Sequence, residues 1–152
     1  MMTINDVLNS VVENDDSAMI VRPATPEDLE MCLNDMSVFG FIPLPEGYTA
    51  FLSMLNGFAW NGIEFFSTDQ VTDPETDYTL MDIVTANEGF AEANEDYPET
   101  RNYVLLGRAD DDLFVYSIAS KLYEIIDMSG RDVMESFETF DALFVAVVAP
   151  RI

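Results

Sequence analysis

The chain has 152 residues, 49% of them hydrophobic and 12% aromatic, enough apolar material for one folded domain with its own core and far too much for a disordered acidic tail. Against 29 Asp and Glu stand 6 Lys and Arg, a formal net charge of −23 with a pI near 4.1. A field of that sign repels phosphate backbones and anionic lipid, so neither nucleic acid nor a membrane surface is expected as a partner, whereas encounter with cationic proteins is accelerated.

Ile4, Val7, Leu8, Val11 and Val12 recur with helical spacing, and Thr3 with Asp6 is placed as a capping box. Residues 1–21 are read as a helical N-terminal extension of a single 1–152 domain, with Ala18 to Val21 as a short extended piece. Thr25-Pro26-Glu27-Asp28 is a helix start, with threonine as N-cap, proline at the first helical position and acids in the first turn. Leu29, Cys32, Leu33 and Met36 supply its buried face. A third helix is expected from Pro45 or Glu46 to Asn56, burying Tyr48, Phe51, Leu52 and Leu55 and stopping at Gly57.

Asn61-Gly62 lies between the apolar runs Phe58–Trp60 and Ile63–Phe66, the strongest short-range signal for a type I′ hairpin. Ser67 to Thr79 reads as an acidic loop around Asp73-Pro74, and Thr79 with Asp82 as the cap of a fourth helix carrying Leu80, Ile83, Val84, Phe90 and Ala91. After a loop from Asn94 to Thr100 the period becomes that of strands. Tyr103–Gly107, Leu113–Ile118 and Leu122–Ile126 form a meander, turning at Asp110-Asp111-Asp112 and Ala119-Ser120-Lys121. A turn at Asp127 to Arg131 leads to a short Val133–Glu135 strand. Ser136 then opens a last helix burying Phe140, Leu143, Phe144, Val147 and Val148. Helices followed by a run of adjacent strands predict an α+β fold with an antiparallel β-sheet flanked by helices.

The chemistry on offer is narrow. Histidine is absent, which removes the commonest general base and metal ligand and every Ser-His or Cys-His pair. Lys121 is the only lysine, and no Gly-rich loop runs into Lys-Ser or Lys-Thr. Cys32 is the only cysteine, so neither an intrachain disulfide nor a cysteine zinc cluster forms. Asp73-x-Glu75-x-Asp77 resembles the start of a calcium loop, but the sixth position is Tyr78 and the twelfth Val84. No catalytic residue, cofactor or metal site is expected; a carboxylate or metal-dependent enzyme is the remote alternative. The N-terminus lacks a basic region followed by an apolar one, so no signal peptide is read and a cytoplasmic location is expected. Met31, Met36 and Met54 are read as core filler.

What remains is charge without local counter-ions. No Lys or Arg occurs between Arg22 and Arg101, a window rich in Asp and Glu. The expected partner-binding residues are the acids of three exposed segments: Asp73, Glu75 and Asp77; Glu95, Asp96 and Glu99; and Asp110, Asp111 and Asp112. Trp60 joins them as an interface anchor, set against the plainer reading that it packs over the sheet beside Phe58 and Phe65.

Leu44-Pro45-x-x-Tyr48-x-x-Phe51-Leu52-x-x-x-Asn56-Gly57 resembles the signature of the SUKH superfamily. So do Asn87 in a helix, Leu105-Leu106-Gly107-Arg108 followed by Asp112-Leu113-Phe114-Val115-Tyr116, and the closing Ser136-Phe137-x-x-Phe140-x-x-Leu143-Phe144. The likeness runs from about Met36 to Val148. It implies an α+β fold and a role in protein–protein interaction. Bacterial members are mostly immunity proteins that neutralise toxins, often nucleases, and fungal relatives regulate cell-wall glucan synthesis. A basic toxin domain is the partner this implies, and an interaction scaffold without a toxin partner is the alternative. The family has no established catalytic residues to carry over.

Overall fold

Side-chain caps set where the helices begin. Thr3 and Thr25 each accept a hydrogen bond from the backbone of Asp6 and Asp28, whose carboxylates return the bond to the cap backbone. These boxes open α1 (Ile4–Asn14) and α2 (Pro26–Val38). The computed structural model describes residues 2–152. Its further helices are α3 (Glu46–Met54), α4 (Ile83–Ala93) and α5 (Phe140–Val148). The strands are β1 (Met19–Ile20), β2 (Phe58–Trp60), β3 (Ile63–Phe65), β4 (Val71–Thr72), β5 (Thr79–Leu80), β6 (Tyr103–Ala109), β7 (Asp112–Ser117), β8 (Leu122–Asp127) and β9 (Val133–Phe137).

Seven strands form one antiparallel sheet in the order β1-β2-β3-β6-β7-β8-β9, and β4 pairs with β5 as a separate ribbon. The fold is α+β, an antiparallel sheet flanked by helices. Asn61 and Gly62 both have positive φ, 50° and 79°, as the type I′ turn between β2 and β3 demands. The contact of β3 with β6 depends on Gly107, beside a bulge in β6. A Cβ there would stand 2.3 Å from the Glu64 carbonyl oxygen.

Residues opposite one another on paired strands share a sheet face. Phe58, Phe65 and Phe114 therefore line one face, where they meet Phe51 of α3 and Phe140 and Phe144 of α5. Ring centroids lie 5.3 Å apart for Phe65 and Phe144, 4.8 Å for Phe51 and Phe140, and 5.4 Å for Phe58 and Phe144. Tyr48, fully buried in the same cluster, donates its hydroxyl to the carbonyls of Phe66 and Leu106 at 2.5 and 3.1 Å. α1 packs on α5. The opposite face is covered by α4, whose buried Asn87 accepts from the Leu105 N–H at 2.9 Å and donates to the Leu105 carbonyl at 3.0 Å.

Several expectations need correction. Asp82 caps α4, accepting from the Thr85 N–H at 3.0 Å, because Thr79 and Leu80 are held in β5 by pairing with Thr72 and Val71. Thr139 caps α5, accepting from the Ala142 N–H at 3.1 Å, because Ser136 and Phe137 remain extended against Glu124 and Tyr123. α3 stops at Met54, and Asn56-Gly57 lies beyond it. Asn56 instead ties the loop to Thr68, donating to its hydroxyl at 2.8 Å and accepting from its N–H at 2.9 Å. The acidic loop contains the β4–β5 ribbon, and Pro98–Asn102 is a 3₁₀ turn. Val12, Leu33, Met31 and Met54 face solvent, leaving Met36 as the core methionine of its group.

Asn87 joins α4 to β6 with hydrogen bonds in both directions, so its loss strands the Leu105 N–H in the interior. Asn87→Ala is expected to cost about 1–3 kcal/mol. Chemical denaturation would show it as a lower midpoint with an unchanged slope.

Candidate functional site

Antiparallel pairing brings three turns to one end of the sheet. Ile63 opposes Ala109 and Asp112 opposes Asp127, so the Asn61-Gly62 turn, the Asp110-Asp111 turn and the turn from Asp127 to Asp132 stand side by side. The Met128 N–H donates to the Asp111 carbonyl at 2.8 Å, joining the last two. Arg131, with φ of 58°, carries the connection onward. Its Nε donates to Asn94 Oδ1 at 2.5 Å, and its guanidinium lies 4.1 Å from the Tyr97 ring centroid. Residues 94–97 are thereby clasped to the acidic end of the sheet.

Glu95, Asp96, Asp110 and Asp111 are exposed there and Asp112 is half-buried, whereas Glu99, also exposed, lies beside Tyr103 at the far end of β6. Asp127 and Asp132 belong to the same cluster, although sequence reading picked out neither. Both follow from the turn that closes the β-meander, since any carboxylate there must lie beside the preceding hairpin's turn. Burial, then the charges of Asp110, Asp111 and Asp127, push the Asp112 carboxyl above its ordinary value, while Arg151 draws it back. Two cations lie within the cluster: Arg131 of the β8–β9 turn, and Arg151, which donates to Asp110 Oδ2 at 2.6 Å and to the Asn61 carbonyl at 2.7 Å.

The third expected segment approaches that end from the ribbon, where Asp73 lines a hollow with Asn61 and Gly62. Asp73 is half-buried, its Oδ1 accepting from the Glu75 N–H at 2.9 Å, and Glu75 and Asp77 are exposed at the ribbon's tip. The ribbon reaches the sheet through Tyr78, which donates to Glu64 Oε2 at 2.5 Å, while Arg108 holds Glu64 Oε1 at 2.8 Å. Burial and the adjacent Glu64 push the Tyr78 phenol up. Asp73 thus borders the Asn61-Gly62 turn, with Glu75 and Asp77 exposed beyond it at the ribbon's tip.

Trp60 requires correction as an exposed anchor. It is 7% exposed, and its indole N–H donates to Asp15 Oδ2 at 3.1 Å, so it fastens the end of α1 to β2. Cys32 is buried; desolvation, with Asp35, Asp69 and Asp82 nearby, pushes its thiol up to about 12.

Among the described residues, Arg22, Arg108 and Arg151 are the cations paired with carboxylates, those of Asp28, Glu64 and Asp110. Three of 29 acids are compensated in this way, and the rest set the surface potential. Among the described residues no three side chains of metal-ligating type converge as a cage, and no helix is long and apolar enough to cross a membrane. No family model matches the chain, and no curated protein matches it.

The raised Asp112 carboxyl fixes a pH dependence. Its penalty to the folded state is present at neutral pH and is relieved as pH falls through the raised value and the native state takes up the proton. Asp112→Asn is therefore expected to melt higher than the parent at pH 7, with the gap closing below the carboxylate range; thermal scans against pH would show it. Arg131→Ala is expected to free residues 94–97, read as faster amide exchange there with the α5 core unaffected.

Proposed function

We propose that this protein is a non-catalytic binding domain that covers a cationic surface on a protein partner, in the manner of a SUKH-type immunity protein blocking a basic, nuclease-type toxin domain. The observation that carries the reading is the acidic end of the sheet. Exposed carboxylates from the β6–β7 turn, the β8–β9 turn and residues 94–97 adjoin there, with Arg131 and Arg151 as the cations among them. The excess charge serves no internal pairing, and like charges held together cost folding free energy; a partner of opposite sign returns it.

The sequence likeness supports the same reading from a separate direction. Its motif residues include Tyr48, Phe51 and Asn87, which hold the sheet and its two helical layers together, so the likeness speaks for a shared scaffold. The turns that would meet the partner lie between those positions. A toxin that grips phosphate presents a basic cleft, and a rigid acidic patch competes for that cleft by charge alone.

The test is to mix the purified protein with the products of the adjacent open reading frames and to follow binding by calorimetry across salt concentration. A basic product is expected to bind, more weakly as salt rises. Replacing Asp110, Asp111 and Asp127 together with asparagine is expected to slow association about three- to tenfold while dissociation changes little, as for charges at an interface rim. Failure of every basic product to bind at low salt overturns the reading.

A further inference from the structure

Between the β4–β5 ribbon and the β2–β3 hairpin lies a hollow of about 260 Å³. Trp60, Ile63, Met19 and Tyr78 form most of its wall, with Asn61 and Asp73 on the polar side. Sites that bury a drug-sized ligand run to about 300–1,000 Å³, so this one suits a single side chain. Two rings border it. Tyr78 is 42% exposed, and Trp60 belongs to the wall, its indole N–H already committed to Asp15. Met19 and Asp73 also border a second trough, of about 520 Å³, between residues 18–22 and 69–74, so an incoming chain reaches the hollow from the β1 side.

Among the described residues, Asp73 is the one charged group in the lining. Its Oδ1 accepts from the Glu75 N–H at 2.9 Å, and its carboxylate is not one of the three held in ion pairs. An apolar side chain filling the hollow strips water from that half-buried carboxylate and returns nothing. An anion is repelled by it, and by Glu75 and Asp77 at the ribbon's tip. A cation matches. The aromatic walls favour arginine over lysine: a guanidinium is planar, weakly hydrated and stacks on rings, whereas an ammonium gives up more hydration on leaving water. A second copy of this chain is a poor donor, since it brings a net charge of −23 with it.

We infer that this hollow receives an arginine side chain of the basic partner, its guanidinium paired with Asp73 and set among the rings of Tyr78 and Trp60. This rests on the reading of the protein as a binder of basic partners and names the residue type and the place it enters. The hollow adjoins the Asn61-Gly62 turn, and hence the acidic end of the sheet, so the arginine is seated where the long-range field already draws the partner. The field speeds the encounter; the hollow fixes the register. Tyr78 and Arg108, both bonded to Glu64, hold the ribbon over the sheet, so the hollow is built before the partner arrives.

Trp60 is the only tryptophan of the chain, so its fluorescence reports on this hollow. The probe is N-acetyl-arginine amide, set against N-acetyl-lysine amide and the neutral isostere N-acetyl-citrulline amide. At low salt the arginine compound is expected to change Trp60 emission saturably, the lysine compound more weakly and the citrulline compound not at all. Asp73→Asn keeps an acceptor for the Glu75 N–H and is expected to weaken arginine binding about three- to tenfold, as for a partly exposed ion pair. Asp96→Asn removes the same charge elsewhere on the surface and is expected to leave that affinity unchanged. Equal losses in the two variants, unaltered affinity in Asp73→Asn, or an equal response to lysine or citrulline overturns the proposal. So does a silent Trp60 while a basic product of an adjacent reading frame still binds, an outcome that leaves the partner reading standing. Failure of every basic product to bind overturns both.

Discussion

Interlocking of Phe51, Phe140 and Phe144 with Phe58, Phe65 and Phe114 is the contact on which the rest of the molecule depends. A chain with net charge −23 is pushed toward expansion, and with so few ion pairs it has little electrostatic means of resisting. Each buried phenylalanine contributes about 1.5–3 kcal/mol, while repulsion between exposed charges fades beyond about 8–10 Å at ordinary salt. The cluster joins α3, α5 and the central strands in one layer, so the surface is free to be nearly all of one sign. Tyr48 completes the arrangement by supplying a donor to two carbonyls in the middle of that apolar mass, where an unmatched oxygen would otherwise be buried.

The opposite face is organised on another principle. Polar side chains there act as fasteners: Asn87 holds α4 to β6, Glu64 joins Tyr78 to Arg108, and Arg131 clasps Asn94 and Tyr97. Each sets the position of an acidic segment relative to the sheet. A stiff aromatic layer on one side and pinned, charged loops on the other suit recognition by a preformed surface, in which little ordering remains for the moment of contact.

Much of the scaffold was legible because its signals are local. The Thr3 and Thr25 boxes, the Asn61-Gly62 turn and the strand periods of the meander each specify geometry within a few residues, and the structure realises them. The misread boundaries arose where long-range pairing overrode a good local cap. Thr79 has the chemistry of an N-cap but is held by Thr72 across the ribbon, and Ser136 is likewise kept extended by Glu124. The acidic candidates were visible as charge, but their grouping was not. Asp127 and Asp132 join Asp110–Asp112 only through strand order, and Glu95 approaches them only through Arg131. Trp60 shows the converse: an indole is a common interface residue, but here its N–H is satisfied by Asp15, a partner 45 positions away that no spacing rule connects to it.

The strand order also bears on how the molecule forms. β6 to β9 follow one another through short turns and can zip together quickly, whereas β3 must find β6 across the whole excursion of residues 66–102. Until that closure the inner edge of β6, carrying Val104 and Leu106, is open in the nascent chain, the kind of intermediate that sticks to its own kind. Mutual repulsion of so many carboxylates keeps such chains apart while the slow pairing completes. The acidity at the mature surface thus also protects the protein against aggregation during its own assembly.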